Sequence, residues 1–98
     1  MGIIKTIEIN DIEESLKEIA GMSFQINLFQ EEHKDVEEQI KINKKNFSTG
    51  AIPVDIYKRN SNVMNKEKKR LVSNINNNVK SIKKINKGLL KSIEQNKI

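Results

Sequence analysis

Ninety-eight residues make one small domain at most, and 36% apolar with 4% aromatic side chains leave modest means to close a core without a partner or a second copy. One proline and four glycines fit long helices, not an all-β domain, which would need turn residues at short intervals. The absence of cysteine excludes a disulfide scaffold and thiolate metal sites.

The net charge of +5 conceals a division. Residues 1–40 carry ten acidic against three basic side chains, a net of −7, while residues 41–98 carry fifteen basic against three acidic, a net of +12. Two helices of opposite sign, laid against each other with positive charge in excess, are the arrangement this division predicts. Sixteen Lys, sixteen Ile and thirteen Asn are also what an AT-rich genome supplies, which discounts part of the basic signal and the Asn74–Asn78 cluster. No stretch approaches the roughly 18 apolar residues of a membrane span. Lys5 and Glu8 interrupt the start, where a cleavable signal would be continuously apolar. The expected location is the cytoplasm, with export only by a route that needs no cleavable signal peptide.

In chain order, residues 1–9 form a short apolar lead around Ile4, Ile7 and Ile9 that reads as a tail, compatible with strand, extended chain or an early helical turn. Asn10 and Asp11 then offer oxygens to the free amides of a first helical turn, with Glu13 or Glu14 placed to complete a capping box. From there Ile12, Leu16, Ile19, Met22, Ile26, Phe29, His33, Val36 and Ile40 recur at steps of three and four, one face of an acidic helix over residues 10–46. Gly21 falls where two steps of three follow each other. There it predicts either a bend or a close approach by a neighbouring helix.

Residues 47–52 form the predicted turn: Gly50 suits the left-handed conformation that ends a helix, and Pro53 suits the first turn of the next. With Phe47, these mark a mid-chain reversal that folds two arms of similar length into an antiparallel hairpin. The basic helix, residues 53–96, repeats Tyr57, Met64, Leu71, Asn78 and Ile85 at sevens, interleaved with Ser61, Lys68, Ile75, Ile82 and Leu89. That is a heptad seam, weak near Ser61 and Lys68, where Asn60-Ser61-Asn62 could interrupt the helix. The fold class is therefore all-α, a coiled-coil-like hairpin completed by a partner or by self-association.

No chemistry-bearing constellation accompanies this architecture. His33, the only histidine, has Gln30 three residues before it instead of glutamate and no second histidine to share a metal. The carboxylates lack a partner base or nucleophile. No catalytic residue, metal ligand or cofactor is expected, and the function class is protein–protein interaction with another helical protein or with itself. The contact residues would be Ile19, Met22, Ile26 and Phe29 on the first arm and Leu71, Ile75, Ile82, Ile85 and Leu89 on the second. The alternative is salt-sensitive, nonspecific contact with nucleic acid or an anionic surface through Lys66, Lys69, Arg70, Lys80, Lys83, Lys84 and Lys87. Against it, two of eighteen basic residues are Arg and no aromatic is interleaved to stack on bases.

About a hundred residues without cysteine, and a mid-chain aromatic-to-glycine turn, here Phe47-Ser48-Thr49-Gly50, give a layout that resembles the small helical-hairpin proteins of Gram-positive type VII (ESX-type) secretion. These are the WXG family and the helical partners encoded beside LXG toxins. Phe47 stands where the family's turn has Trp, with one extra residue before Gly50. The family's C-terminal export signal, Tyr-x-x-x-Asp/Glu, has no counterpart, since Ser61 lies four residues after Tyr57. The resemblance therefore implies an effector partner or targeting protein in place of a substrate exported on its own signal.

Overall fold

A computed structural model describes residues 2–95, with side-chain surroundings from Asp11 onward. Two helices account for the architecture: α1, Gly2–Ser48, and α2, Val54–Gln95. At 1.5 Å per residue the longer helix spans about 70 Å. The molecule measures 74 × 15 × 14 Å, a single antiparallel hairpin two helices wide.

The reversal is built as the residues between the helices dictate. Gly50 has φ of 80°, the left-handed conformation that a side chain disfavours. The Ala51 amide donates to the Asn46 carbonyl at 2.8 Å and the Gly50 amide to the Phe47 carbonyl at 3.1 Å, the paired bonds of a Schellman termination. Ser48 Oγ and Thr49 Oγ1 donate to the carbonyls of Lys45 and Asn46 at 2.9 and 3.3 Å, so the last carbonyls of α1 keep partners. Pro53 precedes the first residue of α2, and its carbonyl accepts the Tyr57 amide at 3.0 Å, so it caps the helix and does not occupy its first turn. Across the turn the rings of Phe47 and Tyr57 stack at 4.4 Å and 17°.

Further sequence-based expectations change. Helix α1 begins at Gly2, so Asn10 and Asp11 lie inside it and cap nothing. A capping residue permits a helix start without enforcing one, and Asn or Asp in a helix interior costs only a few tenths of a kcal/mol more than an average residue. At Gly21 an added Cβ would meet nothing within 4 Å, so no neighbouring helix approaches there. Helix α2 is continuous through Asn60, Ser61 and Asn62.

On α1 the residues turned inward are Ile12, Ser15, Ile19, Met22, Ile26, Phe29, His33, Val36, Ile40 and Asn43. Their steps alternate three and four without a break. Leu16 is 54% exposed and Ser15 takes its place in the seam, which removes the consecutive steps of three at Gly21 and with them the reason for a bend. On α2 the inward row is Tyr57, Ser61, Met64, Lys68, Leu71, Ile75, Asn78, Ile82, Ile85, Leu89 and Ser92, an unbroken heptad a/d pattern.

Candidate interaction surface

The seam is thin. Among the described residues only Leu71, Leu89 and Asn43 are buried, at 0%, 8% and 6% exposure. Ile19, Met22, Ile26 and Phe29 of α1 and Ile75, Ile82 and Ile85 of α2 all stand in the seam but remain half-buried. Two helices cover an a or d side chain from one direction and leave it open on its flanks.

With the inward rows labelled a and d, each helix has a flank next to its a residues, position e, and a flank next to its d residues, position g. In an antiparallel pair the two e flanks share one side of the hairpin and the two g flanks the other. The grooves confirm this geometry. One groove of about 270 Å³ is lined by Gln30 and Val72, both at e, with His33, Ile75 and Asn76. On the opposite side a groove of about 420 Å³ is lined by Gln39, Asn46 and Asn60, all at g, with Asn43 among its walls.

The two sides differ in chemistry. The g side is tied together by polar contacts between the helices. Asn43 Nδ2 donates to the Tyr57 carbonyl and to Ser61 Oγ, each at 3.2 Å, and Asn43 Oδ1 accepts from Asn60 Nδ2 at 3.2 Å. Further along, Arg70 bonds Glu67 on its own helix through Nε at 3.0 Å and reaches Glu32 across the hairpin at 3.8 Å. Arg70 holds the Glu67 carboxyl below the ordinary carboxylate range, chiefly through this hydrogen bond. Asn78 Nδ2 donates to Gln25 Oε1 at 3.2 Å. The e side has one such tie among the described residues, Lys68 to Glu37 at 3.4 Å.

These ties bear on the division of charge. Among the described residues the ion pairs between the helices are Glu37–Lys68 and Glu32–Arg70. Lys66, Lys69, Lys80, Lys83, Lys84 and Lys87 are exposed and none lies within 4 Å of a described carboxylate. The opposite charges of the two arms therefore meet at few points, and the apolar row supplies most of the cohesion, since each exposed pair is worth about 0.2–1 kcal/mol.

His33 sits in the α1 row with its Nδ1 3.8 Å from Glu37 Oε1, one helical turn away, and no group of three metal-binding side chains gathers among the described residues. Besides Ser15, Asn43 is a seam residue that sequence reasoning missed. Its signal was its place in the three–four rhythm after Ile40, obscured because an asparagine in so Asn-rich a chain reads as solvated. No described helix is long and apolar enough to cross a membrane. Comparison with family models, with characterised proteins and with solved structures found no match.

Proposed function

We propose that this hairpin is a non-enzymatic helical interaction module that completes its core by packing against helices of another protein, and that it acts as a partner or targeting protein for a type VII-secreted effector. The observation that carries the first part is the half-open seam. A rod 15 × 14 Å in section, with two buried apolar side chains among the described residues, leaves Ile19, Met22, Ile26, Phe29, Ile75, Ile82 and Ile85 accessible along its flanks. Apolar surface in that amount is stabilised by further helices, as in a four-helix arrangement. The second part rests on the layout, a helical hairpin with an aromatic and a glycine at its turn.

The test is co-expression with the N-terminal helical domain of a toxin encoded by a neighbouring gene. A stoichiometric complex is expected on size exclusion, with Met22→Asp and Ile82→Asp each abolishing it. A chain that elutes alone beside every such domain, while fully helical, overturns the effector-partner reading.

One observation favours the alternative, contact with nucleic acid or an anionic surface: the lysines from Lys80 to Lys87 face solvent without a described carboxylate beside them. Changing Lys80, Lys83, Lys84 and Lys87 together to Gln separates the readings. Loss of DNA or RNA retention at low salt supports the binder, whereas unchanged retention, or none in the parent chain, ends it.

A further inference from the structure

The unequal chemistry of the two flanks assigns the open side of the seam to one kind of occupant. On the g side the exposed apolar residues, Leu28 and Ile42 on α1 and Ile56 and Val63 on α2, lie at outer positions, with polar residues between them and the seam. On the e side apolar residues adjoin the seam itself: Leu16 on α1, and Val72, Val79 and Ile93 on α2, with Leu16, Val72 and Ile93 being 54%, 41% and 46% exposed. The groove that holds Val72 and Asn76 continues into a second one of about 590 Å³ over Lys69 and Lys80.

The charge beside this row is positive. Lys34 borders it on α1 and Lys69 and Lys83 on α2, while Lys41 and Lys44 carry the positive edge on towards the turn. The acidic residues there are Glu13 and Glu37, and Glu37 is already engaged by Lys68. A second copy offering the same flank would set lysine against lysine. Its opposite flank, which carries Glu14, Glu18 and Asp35 on α1, would have to dock instead, and that head-to-tail contact does not close into a dimer. A foreign helix with an apolar stripe edged by Glu or Asp meets both the row and its border. The strip from Asn65 to Ile93 is about 42 Å long at 1.5 Å per residue. Over the hairpin's 15 Å width that is on the order of 600 Å² per partner, near the lower end of a specific interface.

We propose that the flank bearing Leu16, Val72, Val79 and Ile93 is the docking site for an acidic amphipathic helix of a partner protein. This rests on the reading of the hairpin as an interaction module and adds to it the face used and the character of the ligand.

The probe is a labelled synthetic peptide of about 28 residues, the length of the strip, with Leu at its a and d positions and Glu at e and g. A twin carries Lys for Glu. Fluorescence anisotropy with the full chain should show saturable binding of the acidic peptide, weakened by salt, and little binding of the twin. Val72→Asp with Val79→Asp should weaken it by tenfold or more, each tenfold being about 1.4 kcal/mol. Ile42→Asp with Val63→Asp on the other flank should leave it unchanged. Val72→Ser with Val79→Ser, checked for helicity by circular dichroism, repeats the test without a buried charge.

Equal binding of the twin overturns the charge assignment, and loss through Ile42 and Val63 instead overturns the choice of flank. A dimer in light scattering that Val72→Asp and Val79→Asp dissolve gives the site to a second copy and overturns the proposal. Absence of peptide binding by a helical, monomeric chain overturns it as well. The interaction-module reading falls only if the chain also fails to form any complex on co-expression.

Discussion

Asn43 occupies a seam position where an aliphatic residue would bury more surface, and three of its hydrogen-bonding capacities are used by Tyr57, Ser61 and Asn60 on the facing helix. A polar side chain so placed favours the one register in which its partners line up, because any slip leaves it unpaired in the seam. Asn43→Ala should therefore lower stability by about 1–3 kcal/mol, the cost of stranded polar groups, read from denaturant melts. Asn43→Leu should unfold at an equal or higher temperature yet show mixed masses in sedimentation, since an apolar seam tolerates other pairings. Gly21 is a contrasting case. It is exposed, mid-helix and without a neighbour within 4 Å of an added Cβ, so Gly21→Ala should stabilise the hairpin by about 1 kcal/mol. The Glu67 carboxylate, held low by Arg70, contributes stability above its ordinary range and loses it as pH falls through its depressed value. Its exposure keeps that contribution small, and Glu67→Gln should barely move an acid-unfolding curve.

At the scale of elements, the turn and the second helix were legible in the amino-acid order. Gly50 takes the predicted left-handed conformation, and Gly50→Ala should cost about 1 kcal/mol with the fold retained, measurable as a lower melting temperature. The heptad from Tyr57 to Leu89 is the row that α2 turns inward, polar members included. The first helix was harder to place. Leu16 drew the apolar stripe away from Ser15, because hydrophobicity read residue by residue outweighs rhythm when a seam position is filled by a small polar side chain. Its start was misplaced for a related reason: Asn10 and Asp11 are good caps and tolerable interior residues, and nothing in the order Gly2 to Ile9 breaks a helix.

The whole molecule is a rod whose cohesion is distributed along 74 Å. Among the described residues the helices share two exposed ion pairs, so melts taken from low salt to about 1 M should shift little, while partner binding through the lysine-edged flank should weaken sharply over the same range. A partner that binds only the folded hairpin raises its stability by about 2.7 kcal/mol at a hundred times the dissociation constant, so the melting temperature itself reports docking.

All-α architecture, the mid-chain reversal and antiparallel arms follow from local rules, since the spacing of apolar residues, the conformational freedom of Gly50 and the fixed angle of Pro53 act within a few residues of each other. The division of charge also lies open in the sequence, but not its use: among the described residues the opposite arms meet in two ion pairs, and most of the lysines face outward. The buried Asn43 network, the polar ties of one flank and the open apolar row of the other exist only once both helices are set at one register. Each depends on residues fourteen or more positions apart arriving at the same height, a coincidence that rotation and register determine and that no local window contains.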